Sequence, residues 1–282
     1  KWSEDDRAWL AGFIDGEGWI GIAKVTSATS RAGFYYRPGV VVPQVHRAPL
    51  DRLMRLIHGY ATMCPRKATN VRWASQWVVN VFNRGVLVEL LTPILRQLSI
   101  KREQAAVVLH YIEVAARAPR GFGPLPEMTR CYERCTWLNT EKPAVSALPE
   151  HTAGDDAWLG AVIEGEGSIQ ITKHGKKQGN GHVYSLRVSV GMIDEAFVRH
   201  VRAVAGSGVV YCERRAGHGN NQKDCWWWTA GAKQARAILE RVFPFLDRKK
   251  AHVGVARRLY REGMVINMKA GLPPAVLAVK LA

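Results

Sequence analysis

Two copies of one short sequence pattern constrain the fold of this 282-residue chain more than any other feature. Residues 8–18 read AWLAGFIDGEG and residues 157–167 read AWLGAVIEGEG, so the second copy begins 149 positions after the first. Each copy follows a Ser/Thr-x-x-Asp capping box, which begins at Ser3 in one case and at Thr152 in the other and predicts the start of a helix. The chain therefore contains two similar units, and each begins with a helix that ends at Gly-Glu-Gly.

The segments after each helix are also alike. Alternating polar and apolar residues at 168–172 predict a half-buried strand, and residues 19–23 match it with weaker contrast. Further strand-like runs follow in both halves, each ending in helical patterns, so we predict an α+β unit with an antiparallel sheet in each half. The predicted boundaries are 1–118 for an N-terminal repeat, 119–150 for a linker rich in Pro and Gly, and 151–282 for a C-terminal repeat.

The surplus of positive charge indicates a polyanionic partner. Forty Lys and Arg against 24 Asp and Glu give a net charge of +16. These basic residues are scattered among Trp, Tyr, Asn and Gln, and no basic amphipathic helix stands out, so nucleic acid is favoured over a membrane surface. No secretion signal is seen at the start, and the five Cys are too few for a disulfide framework. We therefore expect an intracellular protein, and the bacterial cytoplasm and an organelle stay open.

Small residues at a spacing of four line one face of each predicted helix. They are Ala8, Gly12 and Gly16 in the first copy and Ala157, Ala161 and Gly165 in the second. Such a ridge lets two helix backbones approach closely, so we expect the two helices to pack on each other about a pseudo-twofold axis. The final acids of the two copies would then emerge side by side.

These acids, Glu17 and Glu166, predict a divalent metal site. Two carboxylates repel each other, and a helix C-terminus is the unfavourable end for a negative charge. A bound cation removes both penalties, and hard oxygen ligands suit Mg²⁺, which can activate water for phosphodiester hydrolysis. The alternative, that both acids only cap helix ends, is less favoured because the pattern occurs twice at matched positions.

Residues 10–18, LAGFIDGEG, resemble the motif of the LAGLIDADG homing endonucleases, and residues 159–167, LGAVIEGEG, are a looser second copy. Two motifs in a chain of this length resemble the monomeric, two-repeat branch of that family. The resemblance implies two pseudo-symmetric αββαββα repeats, whose four-stranded antiparallel sheets form a DNA-binding saddle. It also implies double-strand cleavage of a long, asymmetric duplex target that leaves short 3′ overhangs.

The resemblance implies the metal ligands as well. The last acid of each motif, Glu17 or Glu166, would bind the catalytic metal, together with the neighbouring Gly16 and Gly165. Mg²⁺ is the expected cofactor, Mn²⁺ can substitute, and Ca²⁺ is expected to bind without supporting cleavage. Relatives are encoded within introns or inteins, and since no splicing-domain signature is seen, an intron-encoded or free-standing origin is expected.

A basic residue near the scissile phosphates is a further feature of the family. Lys101 matches that position, and Lys249 is its counterpart in the second half. Their expected role is to orient or polarise the nucleophilic water and to stabilise developing negative charge. The alternative is a solvated lysine in a helical turn, and their equal placement in both halves favours the catalytic role.

Gln44 matches a polar family position that holds water near the metal. Its counterpart is Met192, which cannot hydrogen-bond a water usefully, so we expect the two half-sites to differ and one strand to be cut more slowly. The other acids of the two motifs, Asp15 and Glu164, are expected to be structural, and Asp15 is expected to hydrogen-bond a turn or linker.

Alternate strand residues are expected to face the duplex. In the second half they are Ser168, Gln170, Thr172, His174, Ser185, Arg187 and Ser189, and in the first half Tyr35 and Arg37. The first face is less polar, with Trp19, Gly21 and Ala23, so specificity there is expected to depend on DNA shape or thymine methyl groups. Candidates for contacts to the phosphate backbone are Arg66, Lys67, Arg72, Gln76, Arg214, Arg215 and Lys223.

Two other functions use the same fold without cleavage. One is an RNA maturase, which would add RNA as a partner, and the other is a DNA-binding regulator. A regulator would be expected to lose the acids and to gain a helix-turn-helix, and neither is seen in the sequence. The retention of Glu17, Glu166, Lys101 and Lys249 in the two halves favours an endonuclease.

Overall fold

A computed structural model describes residues 2–67, 74–118, 124–141, 155–175, 182–214 and 223–261. The chain divides into two compact units, Lys1–Trp158 and Leu159–Ala282. Within the described ranges, no helix is both long and apolar enough to cross a membrane.

The first unit contains one four-stranded antiparallel sheet with the strand order β1-β2-β4-β3. Its elements are α1 (Glu4–Glu17), β1 (Trp19–Thr26), β2 (Phe34–Gln44), α2 (Arg47–Leu56), β3 (Thr62–Arg66), β4 (Gln76–Val81), α3 (Arg84–Ile94), α4 (Arg102–Arg117) and α5 (Pro126–Glu141). The first seven elements follow the order αββαββα, and two further helices come after them.

The second helix–sheet repeat has the same order, and its sheet runs β5-β6-β8-β7. Its elements are α6 (Asp155–Glu166), β5 (Gly167–Gly175), β6 (His182–Met192), α7 (Glu195–Ala205), β7 (Val209–Glu213), β8 (Cys225–Gly231), α8 (Ala232–Val242), a short 3₁₀ turn (Phe243–Phe245) and α9 (Lys250–Arg261). The predicted α+β class with two αββαββα repeats is confirmed.

Helix α1 begins where the sequence predicts it. The hydroxyl of Ser3 accepts a hydrogen bond from the backbone N–H of Asp6 at 3.1 Å, and the Asp6 carboxylate accepts one from the Ser3 N–H at 3.2 Å. This reciprocal capping box satisfies two of the N–H groups that a helix start leaves open. Thr152, the predicted second cap, lies outside the described residues.

The inner faces of the sheets form the cores with the helices. In the first unit, Val40, Val42 and Val79 are fully buried on β2 and β4, and Trp9 of α1 stacks on Phe13 of the same helix. Because side chains alternate along a strand, these apolar residues lie on one face of the sheet, which packs against the helices. The opposite face does not take part in this core.

Helix α5 lies within the segment that the sequence predicts as a linker, but it belongs to the first unit and packs against strand β1. The Asn139 side chain donates to the backbone carbonyl of Ile20 on β1 at 3.0 Å. Cys131 and Cys135 are both buried on this helix, consistent with a packing role rather than a metal pair. The predicted repeat boundaries at 118 and 151 stay a prediction.

The small residues of the two motif helices are mostly inaccessible to solvent. Ala8, Gly12, Ala157 and Ala161 are buried, whereas Gly16 and Gly165 are half-buried near the helix ends. Packing of the two motif helices on each other stays a prediction.

Candidate active site

The first motif places Glu17 at a tight corner between α1 and β1. The backbone N–H of Gly18 donates to the carbonyl of Ile14 at 2.9 Å, which closes the helix. A Cβ atom on Gly18 would lie only 2.8 Å from that carbonyl oxygen, so the corner requires glycine. Strand β1 therefore starts at Trp19, directly after this glycine, and Glu17 is half-buried at the helix end.

Asp15 is fully buried and binds backbone groups from the segment between α3 and α4. Its carboxylate accepts the N–H of Ser99 at 2.6 Å and the N–H of Lys101 at 3.0 Å. Burial raises the pKa of Asp15 to about 6, although the Lys101 ammonium and these two N–H donors oppose the rise. These contacts agree with the expectation that Asp15 holds a neighbouring turn.

The side chain of Lys101 in turn binds the C-terminal end of α1. Its ammonium donates to the backbone carbonyls of Ile14 at 2.7 Å, of Asp15, and of Gly16 at 3.4 Å. These carbonyls belong to the last turn of α1, where a helix lacks internal partners and carries partial negative charge. We call the two reciprocal contacts, acid to backbone N–H and lysine to helix carbonyls, a helix-end clasp.

The second unit contains the same clasp. The Glu164 carboxylate, which is 1% exposed, accepts the N–H of Asp247 at 2.9 Å and that of Lys249 at 3.2 Å. The Lys249 ammonium donates to the carbonyls of Ile163 at 2.6 Å, Glu164 at 2.7 Å and Gly165 at 3.3 Å. Lys249 is only 6% exposed, so this clasp is the more deeply buried of the two.

Gln44 at the end of β2 contacts the motif acid directly. Its side-chain N–H donates to the Oε1 atom of Glu17 at 2.9 Å. The sequence predicts Gln44 near the metal but does not show this contact, which joins residues 27 positions apart. In the second unit the corresponding position at the end of β6 is Met192.

The oxygen atoms at the two helix ends limit which metal ion could bind there. Glu17 offers a carboxylate and Gly16 a backbone carbonyl, and Glu166 and Gly165 offer the same pair in the second unit. Within the described ranges, no group of three or more His, Cys, Asp and Glu side chains is placed to hold a metal ion. This small set of hard oxygen ligands suits Mg²⁺, because a protein-bound Mg²⁺ ion keeps several waters and also binds substrate phosphates. It does not suit a structural zinc ion, which takes four protein ligands.

The outer face of the second sheet is polar, and the strand register fixes its members. Ser168 pairs with Ser189, Gln170 with Arg187, and Thr172 with Ser185, and directly paired residues share a face. The register thus brings these six predicted residues together. His174 continues the series opposite Val183, and only its backbone is described.

The outer face of the first sheet is largely aromatic. Ala23 pairs with Arg37, and the Arg37 guanidinium lies 4.2 Å from the centre of the Phe82 ring. Gly21 and Gly39 are paired, and the rings of Trp19 and Phe82 lie across them so closely that an added Cβ would clash. Sequence reasoning missed Phe82, whose signal is its position directly after β4.

The remaining predicted DNA contacts are placed unevenly. Tyr35 is 42% exposed on β2, and Arg66 pairs with Gln76 at the end of β3. Lys67, Arg214 and Lys223 are exposed. Arg72 and Arg215 lie outside the described residues.

Comparison with known proteins supports the fold assignment. No protein-family model matches the chain, and no curated protein matches it in sequence. The chain matches the I-SmaMI LAGLIDADG homing endonuclease bound to cleaved DNA, with 15% identity and a TM-score of 0.63 over 99% of this chain and 94% of that one. It also matches I-SmaMI bound to uncleaved DNA in the presence of calcium ions, with 14% identity and a TM-score of 0.62 over 99% and 96% of the two chains.

A second endonuclease gives a similar result. The I-LtrWI LAGLIDADG homing endonuclease bound to target DNA is 16% identical, with a TM-score of 0.57 over 86% of this chain and 83% of that one. At these identities the likeness defines the fold. The chain has the two-repeat fold of the LAGLIDADG homing endonucleases, as its two motifs predict.

Proposed function

We propose that this protein is a homing endonuclease of the LAGLIDADG type that makes double-strand breaks in DNA by metal-dependent hydrolysis. The observation that carries the proposal is the repeated helix-end clasp. In each unit a buried acid and a lysine hold the end of a helix whose last residue is a glutamate. Burying charged groups is energetically costly, so the occurrence of this arrangement in both units favours a catalytic site at each helix end.

Glu17 and Glu166 are the proposed metal-binding side chains, assisted by the backbone carbonyls of Gly16 and Gly165. The proposed cofactor is Mg²⁺, for which Mn²⁺ can substitute. I-SmaMI was solved on uncleaved DNA in the presence of calcium ions, and we expect Ca²⁺ to bind here too without supporting cleavage. When bound, a divalent ion lowers the pKa of a coordinated water and stabilises charge on the phosphate oxygens.

Hydrolysis requires that a water oxygen bonds to phosphorus while one P–O ester bond breaks. The leaving oxygen takes up the proton that the water loses. In this scheme Gln44 orients the Glu17 carboxylate through its N–H, because the two atoms lie 2.9 Å apart. Preorganised ligands of this kind avoid the cost of reorganisation during the reaction.

Lys101 and Lys249 contribute fixed positive charge behind the two acids. Each ammonium offsets the negative end of a helix dipole, which otherwise opposes both the glutamate and an incoming phosphate. Their contacts to helix carbonyls favour a positioning role for the glutamate backbone. The role predicted from the family, orienting the nucleophilic water, stays a prediction.

The outer sheet faces are the proposed DNA-binding surfaces. The polar face of the second sheet carries Gln170 and Arg187 as a direct pair, and such side chains can bind adenine and guanine edges in the major groove. The aromatic face of the first sheet suits apolar contacts with thymine methyl groups and recognition of DNA shape. Because one chain carries two different sheet faces, we propose that the protein acts as a monomer on a long, asymmetric DNA target. We propose that cleavage of this target leaves short 3′ overhangs.

The test is cleavage of a randomised duplex library by the full chain, in Mg²⁺ and separately in Ca²⁺. Discrete double-strand cuts at one long sequence in Mg²⁺, with binding but no cutting in Ca²⁺, are expected. Sequence-selective binding without any cutting would reassign the protein as a DNA-binding regulator, and selective binding of RNA without DNA cleavage would reassign it as a maturase.

A further inference from the structure

One charged side chain lies on the aromatic outer face of the first sheet. Arg37 is on β2, and its partner on β1 is Ala23, whose side chain is a single methyl group. The register and the alternation of side chains place Gly21, Gly39 and Val41 on the same face. Among the described residues that share this face on β1, β2 and β4, Arg37 is the one charged side chain. A charged contact from these three strands to a ligand on this face therefore comes from Arg37.

The ring of Phe82 supports the Arg37 guanidinium. The central carbon of the guanidinium lies 4.2 Å from the centre of that ring. Phe82 directly follows β4, and its ring lies across Gly39, where an added Cβ would be 2.5 Å from a ring carbon. Gly39 thus makes room for the ring, and the ring binds the guanidinium by stacking and a cation–π attraction. A side chain that is already ordered in this way loses less freedom when it binds a ligand.

The two terminal nitrogens of Arg37 are the atoms that can serve a ligand. The Nε atom is buried and finds no acceptor among the described residues. Nε is therefore not accessible to a ligand, and the parallel N–H groups of the two terminal nitrogens donate instead. Two parallel donors in one plane match two neighbouring acceptors on a ligand, and this geometry distinguishes Arg from the point charge of Lys.

Guanine is the base that presents such a pair of acceptors. In the major groove its O6 and N7 atoms lie side by side, whereas adenine presents one acceptor and one donor, and cytosine one donor. A thymine presents a single acceptor beside its methyl group. The arrangement of donors on Arg37 therefore selects guanine among the four bases.

The position of Arg37 favours a base over a phosphate. The candidates for phosphate contacts Arg66 and Lys67 lie at the end of β3, where it turns towards β4. Arg37 instead lies within the strand pair β1–β2, which extends from Thr26 and Phe34 to Trp19 and Val41. The major groove of DNA admits a two-stranded ribbon of this kind, and side chains on its inserted face reach the base edges.

We infer that Arg37 recognises one guanine of the DNA target through its O6 and N7 atoms, and that Phe82 is a positioning residue for this contact. The inference rests on the proposed DNA-binding function. It adds a direct base contact to a face for which the sequence predicts specificity through DNA shape or thymine methyl groups. Guanine should be preferred over the other bases at that position by roughly tenfold to a hundredfold.

The experiment is a binding selection with the full chain in EDTA, in which each base pair of the target from the library is varied. Arg37→Ala should lose the guanine preference at one position and keep the wild-type profile at the others. Arg134→Ala is the matched control. Arg134 also stacks on a ring, 4.5 Å from the centre of Trp137, but it lies on α5 rather than on the sheet, so the profile should not change.

Modified bases at that position test the contact in the wild type itself. Replacing the guanine by 7-deazaguanine removes the N7 acceptor and should weaken wild-type binding roughly tenfold, with no further loss for Arg37→Ala. Inosine keeps O6 and N7 and lacks only the minor-groove amino group, so the wild type should bind it about as well as guanine.

Two variants test the positioning role of Phe82. Phe82→Leu keeps an apolar side chain but removes the ring, so it should reduce the guanine preference and leave the other positions unchanged. Phe82→Tyr keeps the ring and should retain the wild-type preference. Thermal unfolding of each variant is measured in parallel, and if a variant does not fold, the comparison of guanine, 7-deazaguanine and inosine with the wild type decides.

The outcomes separate the inference from the proposed function. An Arg37→Ala protein with an unchanged base profile overturns the inference, and so does a wild type that tolerates 7-deazaguanine at every guanine of its target. A loss of affinity that is uniform across sequences also overturns it, because it assigns Arg37 to a phosphate. All three results leave the endonuclease proposal intact, whereas failure of the wild type to bind any duplex selectively refutes both.

Discussion

Removal of the Lys249 ammonium should destabilise the protein measurably. Lys249→Met keeps most of the side-chain volume but deletes the charged donor. The ammonium donates hydrogen bonds to the backbone carbonyls of Ile163 at 2.6 Å and Glu164 at 2.7 Å, and the variant would lose both bonds. Lys249 is only 6% exposed, so water cannot easily replace them.

The size of the loss follows from these contacts. A hydrogen bond from a charged group contributes roughly 1.5–3 kcal/mol, and leaving a buried acceptor without its donor costs a similar amount. Two short bonds that share one donor are not additive, so we expect a loss of about 3 kcal/mol of unfolding free energy. For a unit of this size, that lowers the melting temperature by about 10 °C.

The assay is urea and thermal unfolding followed by circular dichroism, with EDTA present so that metal binding does not contribute. Lys250→Met is the matched control, because Lys250 is exposed and its ammonium lies 6.0 Å from the Phe243 ring. The control should change stability by less than about 0.5 kcal/mol. Lys101→Met should fall between the two, since Lys101 is half-buried. Equal stability of Lys249→Met and Lys250→Met would refute the clasp.

Three further outcomes are expected. Arg187→Ala should reduce discrimination at one base position by roughly tenfold to a hundredfold in a binding selection, and an unchanged profile would remove Arg187 from the reading face. Burial raises the pKa of the Cys135 thiol to about 12, so iodoacetamide at pH 8 should modify the half-buried Cys212 first; equal labelling by mass spectrometry would contradict this. Gly167→Ala should cost about 1–3 kcal/mol in urea unfolding, because its Cβ would lie 2.5 Å from the Ile163 carbonyl oxygen. Gly254→Ala, on α9 with open space around it, should instead stabilise by about 0.5–1 kcal/mol, and the same sign for both would refute the steric argument.

The repeated motif made the fold predictable because its signals are local. A capping box marks the start of α1, and the Gly-Glu-Gly segment marks its end. Period-two alternation identified β5 and β6, and the register pairs the polar residues Gln170 and Arg187 directly. Such patterns depend on neighbouring residues, so they can be seen without knowledge of the tertiary structure.

The contacts of the site could be predicted only in part. The equal placement of Lys101 and Lys249 in the two halves pointed to them as a pair, but not to their hydrogen-bond acceptors. Asp15 and the Lys101 N–H are 86 positions apart, and no local pattern specifies which backbone groups a buried acid will find. The contact of Gln44 with Glu17 was missed for the same reason, and so was the stacking of Arg37 on a ring that follows a different strand.

The most direct test of the proposed function uses Glu17→Gln and Glu166→Gln on the target identified by the library. Each change replaces a charged oxygen with an amide of nearly the same shape, so folding and DNA affinity should be retained. Double-strand cleavage in Mg²⁺ should be lost in both variants, while binding measured in EDTA stays close to that of the wild type. Cleavage at the wild-type rate by either variant would contradict the assignment of these two glutamates as the metal-binding acids.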